Sequence, residues 1–130
     1  MSGTVEVVAA LIREGDKYLI CRRPADKARG LLWEFAGGKT EQGETGEQAI
    51  VRECIEELDV TVEPHGVFTE VTHDYEDITV HLTLYNCTVA RGVPKLKEHS
   101  DMKWVTAEEM QRYEFCPADA DIIEKIKREG

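Results

Sequence analysis

The sequence has too few basic residues for a protein whose main work is binding DNA or RNA. Its 130 residues include 16 lysines and arginines and 26 aspartates and glutamates, which gives a formal net charge of −10. Because nucleic-acid polymers are held chiefly by Lys and Arg on their phosphates, we expect no such partner. Half of this charge is local, since residues 38–60 carry seven acidic and two basic residues. A basic loop precedes that segment and contains Arg22, Arg23, Lys27 and Arg29.

Long apolar runs, export signals and paired cysteines are also missing. The longest apolar run, residues 7–12, is far too short to cross a bilayer, and the N-terminus lacks a signal-peptide pattern. The four cysteines form no C-x-x-C pair, which fits neither a disulfide scaffold nor a structural zinc site. We therefore expect a cytoplasmic protein with reduced thiols and no membrane partner.

The sequence does contain enough apolar material for a packed core. Hydrophobic residues make up 42% and charged residues 32% of the chain, and its length suits a single domain over residues 1–130. Apolar runs and period-two alternation predict strands, with no repeat or linker between them. The predicted strands span residues 4–12, 17–21, 33–36, 60–73, 78–89 and 102–105.

Two helices are predicted from the 3.6-residue periodicity. The first opens at a capping-box pattern of Thr45 and Gln48 and ends near Leu58. Its apolar arc comprises Ile50, Val51, Cys54, Ile55 and Leu58, and its opposite edge comprises Glu53, Glu56 and Glu57. The second helix follows Pro117 and buries Ile122, Ile123 and Ile126.

The three carboxylates on one helix edge repel one another. Like charges at i and i+4 destabilise a helix by about 0.2–0.5 kcal/mol. A divalent cation such as Mg²⁺ prefers carboxylate oxygens and would offset this repulsion. The alternative is an acidic helix face that is simply solvated.

The carboxylates belong to a longer pattern that favours the first interpretation. In this chain the pattern reads Gly38-x5-Glu44-x7-Arg52-Glu53-Cys54-x-Glu56-Glu57-x-Asp59-Val60. It resembles the Nudix box, G-x5-E-x7-R-E-U-x-E-E-x-G-U with U apolar, and matches six of its seven fixed polar and glycine positions. Asp59 replaces the last glycine, which serves a left-handed helix cap. We expect Asp59 to adopt that conformation at a cost of about 1 kcal/mol.

The resemblance covers nearly the whole chain and is to the MutT-type branch of the Nudix family. The matching segments outside the box are Arg22-Arg23, Trp33 to Lys39, Glu98-His99, Trp104 and Pro117 to Asp119. The resemblance implies an α/β fold, the Nudix α/β/α sandwich with a central mixed β-sheet. It also implies hydrolysis of a nucleoside triphosphate to the monophosphate and diphosphate. Such an enzyme would sanitise the nucleotide pool, as bacterial CTP pyrophosphohydrolases and 8-oxo-dGTP diphosphatases do.

The same resemblance implies a magnesium site, with Mn²⁺ as an alternative metal. Glu57 corresponds to the central ligand, and Glu53 and Glu56 complete the box carboxylates. Gly37 contributes its carbonyl oxygen, and Glu98 reaches the metal from a distant loop unless it is an exposed loop acid. Glu53 is the expected base that orients or deprotonates the attacking water. The histidines show no ligand spacing, and three are expected at the surface or in strands: His73, His81 and His99.

Charged residues near the box complete the catalytic and phosphate-binding groups. By the resemblance, Arg52 pairs with a carboxylate and fixes its orientation, while Glu44 steadies Arg52 and the loop. Arg23 and Lys39 lie where the family binds phosphate, although both also fit solvated surface cations. Gly38 is grouped with these substrate-binding residues.

An apolar slot for the base is expected between the strands. Phe35 and the inward-facing Val7, Ala9 and Val80 would line it. Asp119 would read an edge of the base unless it caps the last helix. An ionised Asp only accepts hydrogen bonds, which suits the amino group of cytosine or the N–H and amino edge of guanine.

Four positions bear on which base is preferred. MutT proteins proper have Asn where this chain has Asp119 and Arg where it has Ile78, so a strict 8-oxoguanine preference is not expected. Trp33 and Ala36 favour the CTP pyrophosphohydrolase-like group, which accepts modified pyrimidine nucleotides.

Two other functions fit the same resemblance. One is hydrolysis of another nucleoside diphosphate derivative such as ADP-ribose, a branch that usually carries an extra N-terminal segment not seen in this sequence. The other is a non-catalytic nucleotide-binding module, although such modules typically lose box carboxylates that this chain keeps. In every case we expect a small-molecule nucleotide as the partner, and a monomer or homodimer.

Overall fold

A computed structural model describes residues 3–129, in which a mixed β-sheet lies between helices. The strands are β1 (Thr4–Glu14), β2 (Lys17–Arg22), β3 (Trp33–Glu34), β4 (Gly37–Lys39), β5 (Thr61–Asp74), β6 (Thr79–Arg91) and β7 (Asp101–Thr106). The helices are α1 (Gly46–Leu58), α2 (Ala107–Met110) and α3 (Ala120–Glu129), with a 3₁₀ turn at Pro117–Asp119.

The sheet is assembled on strand β1. This strand pairs in parallel with β6 from Thr4 to Ile12 and antiparallel with β4 from Val7 to Ala9. At its end it forms a hairpin with β2, which pairs with β3 and β7, while β5 pairs with β6. Parallel and antiparallel pairs are both present, so the predicted central mixed sheet is confirmed.

The two faces of β1 pack against different helices. Val8, Ala10 and Ile12 lie in a hydrophobic cluster with the buried face of α1. Ala9 and Leu11 lie in a second cluster with α2 and α3. Because side chains alternate across a strand and both faces are covered, β1 is apolar almost without interruption. The predicted α/β/α sandwich is therefore confirmed.

Helix α1 begins and ends as the sequence predicts. The Gln48 N–H donates to the Thr45 hydroxyl at 3.1 Å, and the Thr45 N–H donates to the Gln48 side-chain oxygen at 2.9 Å. These two bonds complete the capping box. Asp59 follows the last turn in the left-handed region, with φ 53° and ψ 41°. Its N–H donates to the Ile55 carbonyl at 3.0 Å, so the predicted cap is confirmed.

One residue of the predicted apolar arc is not buried. Ile55 is 45% exposed, so the apolar arc of α1 is not covered over its whole width. The sheet covers a narrower stripe of α1, which comprises Ala49, Ile50, Cys54 and Leu58. Ile55 instead lines an open surface groove with Val51 and Pro64.

Two further elements differ from the sequence prediction. The strand expected over residues 33–36 ends at Glu34 as β3, and a separate strand, β4, begins at Gly37, because the chain leaves β2 after Glu34 and joins β1 at Gly37. Helix α2 is absent from the prediction. Thr106 and Glu109 form a capping box there, and this S/T-x-x-E pattern is the sequence signal for it.

The structure also shows the state of the four cysteines and the lengths of the helices. All four cysteines, Cys21, Cys54, Cys87 and Cys116, are free and buried. Burial raises the pKa of each thiol above its usual value. Along residues 3–129, no helix combines the length and apolar character needed to span a membrane.

Replacing Asp59 with glycine tests the cost of the left-handed cap. We expect Asp59→Gly to raise the free energy of unfolding by about 0.5–1 kcal/mol, because glycine adopts positive φ without a Cβ clash. The exposed ion pair of Asp59 with Lys95, at 3.5 Å, contributes little that would be lost. Urea unfolding followed by circular dichroism measures the change. Asp59→Ala is the matched control and is expected to destabilise; equal stability of all three proteins would contradict the strain argument.

Candidate active site

The site begins where strand β4 lies against helix α1. The Gly37 N–H donates to Glu57 Oε1 at 3.0 Å. A Cβ on Gly38 would lie 2.7 Å from the Glu53 carboxyl group, and a Cβ on Gly37 would collide with the Val8 carbonyl oxygen. Glycine at both positions therefore lets β4 approach β1 and the two helix carboxylates this closely.

Arg52 holds the carboxylates of the loop and the helix in place. Its Nε and Nη2 atoms donate to the two oxygens of Glu44 at 2.6 and 3.0 Å. This bidentate bond lowers the pKa of Glu44. Nη1 of Arg52 donates to Glu53 at 3.0 Å and to Glu56 at 3.2 Å, and Nη2 also donates to the Lys39 carbonyl. One guanidinium thus offsets the repulsion among three carboxylates.

Glu57 is the box carboxylate that Arg52 does not contact in these hydrogen bonds. It is partly buried, and burial raises the pKa of Glu57 to about 7. Burial also raises the pKa of Glu53, although Arg52 opposes that shift. A carboxylate removed from water without a full counter-charge is stabilised by a proton or by a cation. A cation bound at Glu57 would therefore replace the proton that burial favours.

The oxygen donors near Gly37 and Glu57 are of the kind that a divalent cation prefers. They do not, however, converge on one position as a complete set of ligands. Within residues 3–129, no three His, Cys, Asp or Glu side chains converge closely enough to hold an ion. Glu53 and Glu56 are held by Arg52 instead. The donors are carboxylate and carbonyl oxygens, which hard cations prefer, and Gly38 leaves the Glu53 carboxylate room that a Cβ would remove. The ligand roles stay predictions for Gly37, Glu53, Glu56, Glu57 and Glu98.

Glu34 joins two basic side chains beside Glu57, in a cluster absent from the sequence prediction. Its Oε1 accepts from Arg23 Nη1 at 2.9 Å, and its Oε2 lies 3.0 Å from His99 Nε2. The His99 side chain is 4% exposed, so the expectation of a surface or strand position is wrong. Burial lowers the pKa of His99, but Glu34 and Glu57 outweigh it and raise the pKa above its usual value. A sequence signal exists, since both Glu34 and His99 belong to MutT-like segments.

Glu98 lies on the same side of the molecule as the box carboxylates. Its side chain is exposed and lines a cavity of about 90 Å³ together with Glu57 and His99. Its charge also contributes to the raised pKa of Glu53, after burial and the box residues. The distant loop therefore brings a carboxylate towards α1, as the resemblance implies.

A larger cavity, of about 250 Å³, is lined by every residue predicted to bind substrate. These residues are Arg23, Phe35, Gly38, Lys39, Val7, Val80 and Asp119. Gly37 and Glu57 line the same cavity, so the box and the apolar slot share one space. Arg29, Tyr75 and Ile78 also line it. Nothing local in the sequence indicates that Arg29, in the basic loop, reaches this cavity.

Asp119 is a buried carboxyl in the wall of the larger cavity, with 4% of its surface exposed. It is the last residue of the 3₁₀ turn before α3. Burial raises the pKa of Asp119 well above its usual range; Glu34 adds to this shift and Arg23 opposes it. The raised pKa favours the protonated carboxyl, which both donates and accepts hydrogen bonds, whereas the ionised form only accepts them.

The chain is similar to known proteins over nearly its whole length. Residues 7–125 match a family model described as NUDIX domain. The chain is 35% identical over 120 residues to CTP pyrophosphohydrolase of Escherichia coli K12, covering 92% of this chain and 89% of that protein. It is also 35% identical over 127 residues to 8-oxo-dGTP diphosphatase of the same strain, covering 95% and 97%. The solution structure of the E. coli ORF135 protein matches with a TM-score of 0.84 at 33% identity, covering 98% of this chain and 91% of that chain.

Asp119→Asn tests the buried carboxyl through the pH dependence of stability. Because the folded pKa of Asp119 is raised, the unfolded chain releases this proton first, and stability falls as pH rises above about 4. Asparagine has a similar shape and does not titrate, so we expect the stability of the variant relative to the parent protein to increase as pH rises from 4 to 8. Urea unfolding between pH 4 and pH 8 measures the gain. The exposed turn residue Asp16 provides the control, Asp16→Asn, and a gain for Asp119→Asn that does not vary with pH would refute the argument.

Proposed function

The chain belongs to the Nudix family, and on that premise we propose that it hydrolyses nucleoside triphosphates to the monophosphate and diphosphate in a Mg²⁺-dependent reaction. The observation that carries the proposal is one cavity lined both by Glu57 and by the apolar slot around Phe35. Such a space accommodates a base and a phosphate chain together. Two relatives at 35% identity are named for CTP and for 8-oxo-dGTP, which supports a modified or oxidised nucleotide as the substrate.

The metal requirement follows from the charge of the substrate. Water attacks a phosphoanhydride slowly, because the phosphate oxygens repel the nucleophile. A bound divalent ion supplies positive charge at those oxygens and makes a coordinated water more acidic. In this chain Glu53, Glu56 and Glu57 would hold the ion, with the Gly37 carbonyl and Glu98 as further ligands.

Glu53 is our candidate for the base that orients or deprotonates the water. Arg52 fixes its Oε2 at 3.0 Å, and Glu44 in turn fixes Arg52 through a bidentate bond. Burial raises the pKa of Glu53, so it takes up a proton more readily than an exposed carboxylate does. The Arg52–Glu44 pair therefore acts by positioning Glu53, while Oε1 is left for the water.

Arg23 and Lys39 supply positive charge for the phosphates. Arg23 Nη1 donates to Glu34 at 2.9 Å, and its Nε donates to the Ala28 carbonyl at 2.8 Å. These two bonds fix the guanidinium and leave Nη2 for a phosphate oxygen. Lys39 is exposed at the edge of the same cavity. Together they help an acidic protein bind a triphosphate.

The base would lie in the slot formed by Phe35 and Val80, with Asp119 on its edge. A protonated Asp119 donates to the ring nitrogen of cytosine and accepts from its amino group, and it can also pair with guanine. Ile78 lines the slot where MutT proteins proper have an arginine. We therefore favour CTP- or dCTP-type pyrimidine nucleotides, with 8-oxo-dGTP as the other candidate.

A reducing compartment suits this chain. Its four cysteines are free and buried, and none of them is paired in the folded structure. Disulfides are rare in the cytosol, where thiols are kept reduced. We infer that the enzyme acts in the cytoplasm, where nucleotide pools are found.

Pyrophosphate release from a nucleotide panel tests the proposed reaction. The purified protein, with Mg²⁺ or Mn²⁺, is incubated with CTP, dCTP, 5-hydroxy-dCTP, 5-methyl-dCTP, 8-oxo-dGTP and dGTP, and with ADP-ribose. We expect pyrophosphate from at least one triphosphate. ADP-ribose yields AMP and ribose phosphate instead, so phosphate analysis separates that activity. Absence of pyrophosphate from the whole panel would contradict the proposal, and binding without turnover would indicate a binding module.

Glu57→Gln is expected to lower kcat at least about 100-fold, because the amide removes the charge at the central ligand position. Glutamine has nearly the same shape, so the fold should be kept, as circular dichroism will report. Glu63→Gln, at an exposed strand position, is the matched control and should leave kcat within about twofold. Unchanged turnover in Glu57→Gln would show that the metal mechanism is wrong here.

Mg²⁺ binding should depend on pH through Glu57. The pKa of Glu57 is about 7 in the protein, so below pH 7 a proton competes with the cation, and above pH 7 the carboxylate is free to bind it. We expect the apparent Mg²⁺ affinity to rise about tenfold between pH 6 and pH 8, with release of a proton. Calorimetry in buffers of different ionisation enthalpy measures both quantities. A pH-independent affinity, or the same dependence in Glu57→Gln, would exclude Glu57 as the group involved.

A further inference from the structure

The loop between β2 and β3, residues 23–32, carries two arginines that point to different parts of the site. We call it the bridging loop. Backbone bonds of 2.9 Å close its base, from the Arg23 N–H to the Leu32 carbonyl and from the Leu31 N–H to the Arg23 carbonyl. Arg23 contacts Glu34 in the phosphate part of the site. Arg29 reaches across to the connection between β5 and β6.

Arg29 is held on that connection by two contacts. Its Nη1 lies 3.0 Å from Asp77 Oδ1. Its guanidinium carbon lies 4.1 Å from the centroid of the Tyr75 ring. The Tyr75 hydroxyl accepts from the Ala118 N–H at 2.9 Å, so the same ring touches the turn that carries Asp119. Three distant segments of the chain therefore meet at Arg29 and Tyr75, in the wall of the larger cavity.

The backbone of the bridging loop is strained at this point. Arg29 has φ 58° and Leu31 has φ 64°, and both are residues with a Cβ in the left-handed region. Residues with side chains adopt this conformation at a free-energy cost, and such strain concentrates at ligand sites. Between them, a Cβ on Gly30 would lie 2.7 Å from the Ala25 carbonyl oxygen. The strained backbone thus places Arg29 at the cavity. A cation that was only exposed to solvent would not need this strain.

The hydrogen-bonding chemistry of Arg29 and Asp119 determines which bases this wall of the cavity can bind. Arginine has five N–H donors and no acceptor, and Asp77 takes one of those donors in the structure. Asp119 accepts hydrogen bonds in either protonation state. A base that satisfies both needs a carbonyl oxygen for Arg29 and an amino group for Asp119. Cytosine and guanine carry both groups, whereas adenine has no carbonyl oxygen and uracil has no amino group.

We propose that Arg29 is a specificity-determining residue, which donates to a carbonyl oxygen of the bound base while Asp119 accepts from its amino group. Tyr75 and Asp77 are its positioning residues. The inference rests on the proposed function for the presence of a nucleotide. It adds a residue that the family resemblance does not supply, and a physical reason why cytosine and guanine are preferred to adenine and uracil.

Metal-free binding of CMP, GMP, AMP and UMP, measured by calorimetry, tests this assignment without requiring hydrolysis. The parent protein should bind CMP or GMP more tightly than AMP and UMP. Arg29→Ala should weaken binding of the preferred nucleotide about tenfold and that of AMP less than twofold, so that discrimination is lost. With a triphosphate substrate, the same variant should raise KM and leave kcat nearly unchanged. Arg29→Lys, which keeps the charge without the planar fork, should recover only part of the affinity.

Arg13→Ala is the matched control. Arg13 also lies over a tyrosine ring, 5.2 Å from the Tyr18 centroid, but it does not line the cavity. We expect its nucleotide binding to equal that of the parent. Asp77→Asn keeps Arg29 and removes its ionic anchor, so it should give a smaller loss, and its effect should not add to that of Arg29→Ala. This second variant keeps the test decisive if Arg29→Ala is poorly folded.

Several outcomes would overturn the assignment. Unchanged base discrimination in Arg29→Ala would do so, and an equal loss for all four nucleotides would show a role in charge or scaffolding instead. Failure of the parent protein to bind any of the nucleotides would overturn it too, whereas the proposed hydrolysis is judged separately by pyrophosphate release. Base discrimination that depends on Arg29, in a protein that releases no pyrophosphate, would support this assignment while the proposed hydrolysis fails.

Discussion

The close approach of β4 to α1 is the constraint on which the rest of the site depends. Gly37 donates to Glu57, and Gly38 lies against the Glu53 carboxyl with no room for a Cβ. Since β4 also pairs with β1 at Ala9, the helix carboxylates are fixed relative to the centre of the sheet. A side chain at Gly38 would push β4 away from the helix, and a side chain at Gly37 would push β4 away from β1. The carboxylates would then lose their place in the cavity wall.

The distribution of charge around the helix carboxylates determines what kind of ligand the site can bind. Arg52 contacts Glu44, Glu53 and Glu56 and offsets much of their repulsion. Glu57 lies outside these contacts, and burial raises its pKa although His99 and the Gly37 N–H oppose the shift. The acidic segment of the sequence is therefore neither a plain solvated face nor a preassembled cage. It is a set of oxygen donors whose negative charge is partly neutralised by the guanidinium of Arg52.

The sequence predicted features set by near neighbours and left open those set by distant ones. The capping box at Thr45 and the left-handed cap at Asp59 depend on a few adjacent residues, and both were predictable. The sandwich was predictable too, from apolar patterns and the box resemblance together. The burial of His99 and that of Asp119 depend on segments far away in the chain, and no local pattern encodes either. Ile55 shows the same limit, because periodicity gives the direction of a side chain but not the width of the sheet that covers it.

Glu57 and Asp119, two of the acids that line the larger cavity, respond to burial in different ways. Burial raises the pKa of both Glu57 and Asp119, so a proton on either carboxyl is favoured over a full negative charge in this partly apolar space. A cation at Glu57 would displace its proton and restore the charge there. A base at Asp119 would instead satisfy the carboxyl by hydrogen bonds, with no ionisation needed. Charge would thus develop at the phosphate part of the cavity, where catalysis requires it, while the base slot stays neutral and apolar.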